Sequence, residues 1–442
     1  MELKLVQPNK PGNHDLIDGK VITPDDQIQL SEMNNHYSHI VIGGKHKVMT
    51  YKNCPINGRK MSFEAKSEFV NYFSHKPKIA GFNQGAAWWH WGGKNFYPEG
   101  VGYYPCADRL PKGTFNTFQA FPSKPVEGDV TLILDHINNV LCDGDKEVGE
   151  YFIQWLAHIF QKPMDKPTVA ILMKSSEGTG KGTLFRLLSK MLGSNFYQVN
   201  GIGQLVGRFN SVIAGRLLIC GDEVDLTKKG AFDKAKGVIS EPMFSMELKG
   251  IDPEPIPNYA RFIFAGNHDN IIAAGTRERR FLVLEPSTHK VDDRQYWTEL
   301  NAVIDGHGAD SFLHYLLNID LATFDPFKAP VTAGLIDEKL ANLKPSLAYI
   351  HEELIKPKAF DGTVNISATD LVSGFKHWAD INGLQITIQS ARSQIGKAMS
   401  DINVLPAGRS DQKGGKMYKL PKSDILRKQF ASLLGHDADE VF

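Results

Sequence analysis

A glycine-rich turn between an apolar run and a helix-forming segment constrains the fold of this chain more than any other feature. The apolar run covers residues 168–173, and a segment of helical character extends from Leu184 to Leu192. This order predicts a strand, a loop and a helix, in which glycines let the backbone wrap a phosphate and the helix presents free N–H groups. Lys181 adds a positive charge where the helix starts. We therefore predict a nucleotide-binding loop with the contact residues Glu177, Gly178, Thr179, Gly180, Lys181, Gly182 and Thr183.

The loop departs from the general phosphate-loop pattern at two positions. Ser175 stands where a first glycine is expected, and Gly182 stands where a serine or threonine is expected. We expect the hydroxyl that binds Mg²⁺ to come from Thr183, one residue later, or to be replaced by water. The alternative is a glycine-rich turn without a ligand, and the residues downstream decide between the two.

Composition sets the broad class of the protein. The 442 residues correspond to about three domains, and 42% of them are hydrophobic. The net charge is zero, so only local patches can argue for a nucleic-acid partner. The four cysteines form no C-x-x-C pair, which argues against structural zinc and a disulfide framework and favours a reducing cytoplasm. No apolar run approaches 18 residues, so we expect no membrane association.

The chain divides into four expected regions. An α+β region covers residues 1–128, and a helical collar covers 129–166. Alternating apolar runs and helical stretches predict an α/β core with a mostly parallel sheet, extended by helices, over 167–325. The last region, 331–442, is expected to have helices at 346–354, 367–381 and 390–402, followed by a hairpin over 404–420, which is the outline of a winged helix.

Polar residues follow two further apolar runs of the core. Asp222 and Glu223 end the run 217–221, and Asn267 ends the run 261–266. Ligands of open α/β sheets bind at the carboxyl ends of strands, where these side chains are expected to lie. We assign Asp222 to the metal ion, Glu223 to polarising the attacking water, and Asn267 to orienting that water against the γ-phosphate. Taken singly, each is better explained by an ordinary turn.

A basic cluster precedes the last apolar run of the core. Arg277, Arg279 and Arg280 stand just before residues 281–284. An arginine supplied by a neighbouring subunit can raise the rate of phosphoryl transfer by about 10³–10⁵-fold. We expect Arg279 or Arg280 to act in this way, although the sequence does not exclude Arg277 or a simple solvated turn. The order and spacing of all these features predict a nucleoside-triphosphatase.

The same order resembles the superfamily 3 helicases of the AAA+ class, and more closely the primase-associated helicases of bacteriophages and poxvirus-type primase–helicases. The likeness covers residues 86–421 and includes Gly182, which is ordinary in that branch. Further matching segments are Tyr97-Pro98, 115–118, Gly128-Asp129, 155–163, Arg208-Phe209-Asn210 to Asp222-Glu223, the stretch 236–250 and Arg279-Arg280-Phe281.

The resemblance implies a ring, a DNA substrate and a set of partners. It implies a hexamer with ATP and Mg²⁺ between subunits, and a hairpin in which Lys249 grips single-stranded DNA within the central channel. It also implies forked DNA as a substrate and leaves a primase or polymerase as a possible partner. Residues 1–128 show no paired acids arranged for polymerisation, so we expect a helicase portion or a stand-alone helicase.

The C-terminal region carries the second expected DNA contact. Residues 392–428 hold nine Lys or Arg against three Asp, a net charge of +6, which suits the third helix and wing of a DNA-binding domain. The expected contacts are Arg392, Lys397, Lys413 and Lys416. A solvated basic face is the alternative.

From this pattern we expect an ATP-dependent DNA helicase in the replication of a phage or mobile element. Two other functions fit the same residues. One is an origin-binding initiator whose ATPase drives assembly, and the other is a DNA-independent remodelling motor.

Overall fold

The computed structural model describes residues 15–54, 58–206, 212–248, 251–362, 364–409 and 415–442. The first region is a mixture of short helices and strands, as the sequence predicts. Its elements are β1 Leu16–Ile17, β2 Lys20–Val21, α1 Pro24–Met33, β3 Tyr37–Ile42, β4 Lys45–Cys54, β5 Gly58–Glu64, α2 Lys66–Tyr72, α3 Gln84–His90, β6 Phe96–Tyr97, β7 Val101–Gly102 and β8 Phe115–Asn116.

A four-stranded sheet in the order β5-β4-β3-β6 organises this region. Gly43 and Gly44, both with positive φ, make the two-residue turn between β3 and β4, a geometry that glycine adopts without strain. Trp88 and Trp91 are buried among the aromatic residues beneath the sheet, whereas Trp89 is half-buried and stacks on His39. Two of these three tryptophans therefore belong to the core of the first region.

A helical segment leads from the first region to the central sheet. It consists of α4 Thr131–Asp135, a π-helical turn His136–Leu141 and α5 Lys146–Gln161. Asp145 caps α5 by accepting a hydrogen bond from the Val148 N–H. The indole N–H of buried Trp155 donates to the Val169 carbonyl at 3.0 Å and so attaches α5 to the chain entering the sheet.

The centre of the molecule is a five-stranded sheet whose strands are all parallel. Its elements, with the connecting helices and a hairpin, are β9 Ala170–Lys174, α6 Lys181–Leu192, β10 Phe196–Asn200, α7 Gly203–Val206, β11 Leu218–Asp222, α8 Lys229–Ser240, β12 Met243–Leu248, β13 Ile251–Pro257, β14 Arg261–Gly266, β15 Phe281–Leu284, α9 Arg294–Asp305 and α10 Gly308–Leu317.

The strand order is β10-β11-β14-β9-β15. Apolar clusters cover both faces: α5, α6, α9 and α10 pack on one side, and α8 packs on the other. Burial on both faces explains why these strands read as continuous apolar runs without alternation. The parallel sheet predicted from those runs is confirmed.

An antiparallel hairpin, β12–β13, stands between α8 and β14. The resemblance implies a hairpin over this stretch, and both of its strands are present. Lys249 lies outside the described residues.

The last region combines helices with a three-stranded antiparallel sheet in the order β16-β18-β17. Its elements are α11 Ala333–Ala341, α12 Pro345–Ile355, β16 Asn365–Ser367, α13 Ala368–Ile381, α14 Ile388–Asp401, β17 Pro406–Arg409, β18 Lys416–Lys419, α15 Ser423–Leu434 and α16 Ala438–Val441.

The predicted helices of this region are present, with starts that differ by one or two residues. Ser367 and Thr387 accept hydrogen bonds from backbone N–H groups and act as N-caps, so the helices begin one residue after each cap. Lys339 on α11 donates to the Leu434 carbonyl at 2.9 Å and joins α11 to the end of α15. Over the described ranges, every helix is too short or too polar to cross a lipid bilayer.

Candidate functional site

The predicted loop lies between β9 and α6, at the carboxyl edge of the central sheet. Gly178 and Gly180 have φ values of +79° and +89°, which side-chain-bearing residues rarely adopt. The Ser175 N–H donates to the Gly266 carbonyl at 3.1 Å, and the Thr179 hydroxyl donates to the Ser176 carbonyl at 3.1 Å. These bonds fix both ends of the turn, so the loop is held in shape from within the fold.

Open space lies on one side of this loop. A Cβ atom at Gly182 would meet nothing within 4 Å. A pocket of about 470 Å³ begins there, and its volume is that of a small-molecule site. It is lined by Gly178, Gly180, Lys181, Gly182, Thr183, Val291, Trp297 and Asn301.

The Ser175 hydroxyl is buried and has no hydrogen-bond partner among the described residues. An unpaired buried hydroxyl costs free energy, and such groups are usually satisfied by a bound ligand or water. Ser175 stands at the position where the sequence departs from the usual glycine. The departure therefore adds a polar group at the loop.

The structure brings Lys181 and Asn267 together. The Lys181 ammonium donates to the Asn267 side-chain oxygen at 2.6 Å, although the two residues are 86 positions apart in the chain. Asn267 follows β14, which lies between the loop strand β9 and β11. An amine and an amide thus converge at the foot of the glycine-rich turn.

Asp222 and Glu223 lie at the same edge, at the end of the next strand. Gly221 on β11 pairs with Phe264 on β14, which brings Asp222 level with the last residues before Asn267. Glu223 is exposed and has φ +51°, a left-handed conformation that is uncommon for glutamate. Its N–H donates to the Asp222 carboxylate at 3.0 Å. Carboxylate, amide and amine groups therefore share one edge, an arrangement able to bind an anion and a cation together.

Arg279 and Arg280 lie at the opposite edge of the sheet. The Arg280 carbonyl accepts from the Ala170 N–H at 2.8 Å, and Ala170 is the first residue of β9. At roughly 3.3 Å per residue, β9 separates them from the loop by about 13 Å. Within one chain, the structure therefore does not bring these arginines to Lys181.

The two arginines differ in their surroundings. Arg280 forms an ion pair with buried Glu278 at 3.4 Å, whereas Arg279 is exposed. Arg277, the third candidate, is also exposed. Exposure leaves Arg279 and Arg277 available to groups outside this chain.

His136 contacts the loop and was not identified from the sequence. Its Nε2 lies 3.3 Å from the Gly180 carbonyl, and its Nδ1 lies 3.2 Å from the Tyr296 hydroxyl. Because a carbonyl can only accept, Nε2 carries the proton and the tyrosine hydroxyl donates to Nδ1. A Cβ at residue 180 would lie 2.3 Å from the His136 ring, so glycine is required there for space as well as for φ. An isolated histidine in a helical segment gives no sequence signal of this contact.

Burial lowers the pKa of His136 from 6.5 to about 4, and the hydrogen bond to Gly180 opposes this shift. The folded state favours the neutral ring, whereas the unfolded chain binds a proton near pH 6.5. The free energy of unfolding is therefore unaffected by this group above pH 6.5 and decreases as the pH falls from 6.5 towards 4. We expect the advantage in Tm of the wild type over His136→Phe to shrink across this range, equivalent to up to about 3 kcal/mol. Thermal melts at pH 7.5 and 4.5 measure it, with exposed His307→Gln as the control. A constant difference in Tm would contradict the prediction.

The expected DNA contacts are only partly within the described residues. Lys249 and Lys413 lie outside them. Arg392 and Lys397 are exposed on α14, and Lys416 is exposed at the start of β18. Among the described residues, these three side chains form no ion pair. They are therefore free to meet an anionic partner.

Fold and site together define a multi-domain α/β protein in which a glycine-rich loop meets a lysine, an asparagine and two carboxylates at one edge of a parallel sheet. Residues 173–280, which carry this site, match a family described as a family of unknown function, DUF5906. This match covers less than half of the chain.

The chain is also similar to a phage replication protein. It is 26% identical over 204 residues to the DNA primase-polymerase of Nitratiruptor phage NrS-1, an alignment that covers 44% of this chain and 27% of the relative. The chain thus spans about a quarter of the length of this relative.

Two solved apo structures of the NrS-1 C-terminal region share the fold. One has a TM-score of 0.65 at 17% identity and covers 90% of this chain and 100% of the other. The second has a TM-score of 0.65 at 18% identity and covers 89% and 98%. The fold described above is therefore that of the NrS-1 C-terminal region over nearly its whole length.

Proposed function

We propose that the protein is an ATP-dependent DNA helicase of superfamily 3, within the AAA+ class, that acts in the replication of a phage or mobile element. The observation that carries this proposal is the convergence of Lys181 and Asn267 behind the glycine-rich loop, beside Asp222 and Glu223. Helicase motors need this combination: a phosphate cradle, a residue that senses the γ-phosphate, and a carboxylate that activates water.

The strand order supports the AAA+ assignment. β14 is inserted between the loop strand β9 and the acidic strand β11, so Asn267 lies between the phosphate loop and Glu223. An amide there can contact the terminal phosphate and the attacking water together. If β9 lay directly beside β11, no strand end between them could carry such an amide.

The proposed substrate site follows from these positions. The phosphates of ATP lie on the backbone of residues 177–183, with Lys181 as the point charge, and the nucleoside occupies the pocket beside Val291 and Trp297. Glu223 accepts the proton of the attacking water, and Asn267 orients that water.

The site also fits a magnesium ion. Mg²⁺ is held by few protein oxygens together with substrate phosphates, and the Asp222 carboxylate and the half-buried Thr183 hydroxyl are oxygens of this kind. When bound, the ion neutralises charge that develops on the phosphates. The Asp222 carboxylate accepts from the Glu223 N–H, which fixes the orientation of the Asp222 side chain at the end of β11.

The position of the arginines supports a ring. Because Arg279 lies about 13 Å from its own loop, at the far edge of the sheet, it is suited to the loop of a neighbouring subunit. Repeating that contact around an axis gives a closed ring with ATP at each interface, and we propose a hexamer.

The comparisons support DNA as the substrate. The NrS-1 relative is named as a primase-polymerase, and its C-terminal region shares the fold. In the last region, α12, α13, α14 and the β16-β18-β17 sheet have the order of a winged helix, with exposed Arg392, Lys397 and Lys416. We propose single-stranded and forked DNA as substrates, and a primase or polymerase as a partner in the host cytoplasm.

Strand displacement on a forked duplex with ATP and Mg²⁺ tests the proposal. We expect the wild type to free the strand and Glu223→Gln to lose about 10²–10⁴-fold in ATP turnover and with it the displacement, because the amide cannot accept the proton of the water. DNA binding is expected to be unchanged. Asp225→Asn, an exposed acid two residues on, is the control.

The exposed cations of the last region favour a second candidate, an initiator that binds a DNA origin through this region. ATP hydrolysis stimulated by DNA without displacement, together with site-specific duplex binding, would support that function. Hydrolysis that is insensitive to DNA would point to a remodelling motor.

A further inference from the structure

We propose that Glu338 on α11 is a positioning residue that fixes the two site loops relative to each other, and that Asn342 reinforces it. One loop follows β11 and carries Glu223, and the other follows β14 and carries Asn267. The inference rests on the proposed function, because it concerns how the hydrolytic groups of that site are held.

The carboxylate of Glu338 binds the backbone of the Asn267 loop. It is fully buried and accepts from the Ile271 N–H at 3.0 Å and from the Ile272 N–H at 3.0 Å, with a further contact to Ile271 at 3.2 Å. Its partners lie 66 and 67 residues away in sequence. Because hydrogen bonds to a charged acceptor are the stronger kind, one side chain holds two consecutive peptides in place.

Asn342, which follows the last residue of α11, binds the same segment. Its side-chain N–H groups donate to the Ile272 carbonyl at 2.8 Å and to the Asn270 side chain at 3.1 Å. In the turn that follows Asn267, Glu338 thus binds backbone N–H groups and Asn342 binds a backbone carbonyl.

The same segment is joined to the Glu223 loop. The Leu226 N–H donates to the Ile271 carbonyl at 2.7 Å, and the Ala273 N–H donates to the Leu226 carbonyl at 2.9 Å. Leu226 stands three residues after Glu223. The peptides that Glu338 binds thus also hold the Glu223 loop, so this carboxylate braces the segment that connects Glu223 with Asn267.

α11 is itself held against the sheet. A Cβ at Gly334 would lie 2.8 Å from Val283 and 3.1 Å from Glu285, so only glycine lets the helix approach β15 this closely. Burial raises the pKa of the Glu338 carboxyl, while its two N–H donors and Lys174 oppose the shift. Nothing in these contacts touches the phosphate loop.

Glu338→Gln tests the inference, because it keeps the size of the side chain and turns one acceptor into a donor facing the N–H groups. A displaced reacting group costs about 10- to 100-fold in rate, so we expect kcat for ATP hydrolysis to fall by that factor with KM changed less than about 2-fold. Asp337→Asn, exposed on the same helix, is the matched control and should leave both unchanged.

Hydrogen–deuterium exchange separates this inference from the proposed function. In Glu338→Gln we expect about 10-fold faster exchange at residues 224–226 and 271–273, and no change in Asp337→Asn. An unchanged kcat in Glu338→Gln with active wild type overturns the inference. If the wild type itself does not hydrolyse ATP, the proposed function fails, and exchange alone decides whether Glu338 fixes the loops: equal exchange overturns it, and faster exchange supports it.

Discussion

Arg279→Ala is expected to lower ATP hydrolysis by about 10³–10⁵-fold while ATP affinity stays nearly constant. The side chain lies at the edge of the sheet remote from its own loop, so its removal leaves the local binding site intact. The variant lacks the positive charge that Arg279 would place against the phosphate transferred in a neighbouring subunit. Steady-state hydrolysis and binding of a fluorescent ATP analogue measure the two effects.

Subunit mixing makes this test specific to an arginine that acts between chains. Arg279→Ala subunits keep Lys181, and Lys181→Ala subunits keep Arg279, so a mixed ring contains some interfaces with both. We expect mixtures of the two inactive variants to regain part of the wild-type activity. Arg277→Ala, at the other exposed arginine of the cluster, tests the alternative candidate in the same way. An absence of any recovery in the Arg279→Ala mixtures would exclude a role for Arg279 across the interface.

Lys181→Ala is expected to weaken ATP binding by about 10- to 100-fold, which is the loss of one charge-assisted contact worth about 1.5–3 kcal/mol. Hydrolysis should fall with it, because the Lys181 ammonium is the charge that meets Asn267 beside the glycine-rich loop. Titration of a fluorescent ATP analogue measures the affinity.

Lys190→Ala provides the comparison for Lys181, since it removes the same charge from the far end of the same helix. Its ion pair with Asp305 at 3.1 Å is at the surface and contributes little. Equal ATP affinity in Lys181→Ala and Lys190→Ala would contradict a phosphate-binding role for the loop.

The sequence predicts the core strands and the loop because these features are local. Strands buried on both faces appear as apolar runs, and the positive φ of Gly178 and Gly180 requires residues that the chain shows directly. The meeting of Lys181 and Asn267 was also foreseeable, because Asn267 follows one parallel strand and Lys181 ends the loop that follows another. The predicted starts of the C-terminal helices differ from the observed ones by one or two residues. In α13 and α14 the reason is that Ser367 and Thr387 are N-caps, so each helix begins at the next residue.

Contacts between segments that are far apart in the chain could not be predicted from the sequence. His136 reaches Gly180 from 44 residues away, and Glu338 reaches Ile271 from 67. Neither stands in a motif, and each depends on how a helix packs after the sheet is complete. The strand order, and with it the separation of Arg279 from Lys181, likewise follows only from the assembled sheet.

The left-handed backbone conformation of Glu223 places the requirements of folding stability and of ATP hydrolysis in conflict at one position. A residue with a Cβ at φ +51° is held under strain of roughly 1 kcal/mol, which glycine would relieve. Under the proposed function the carboxylate at this position is indispensable, so selection for a more robust fold and selection for turnover would favour different amino acids here. Relatives in which glycine replaces this glutamate would then be expected to keep the nucleotide-binding fold but to have lost ATP hydrolysis.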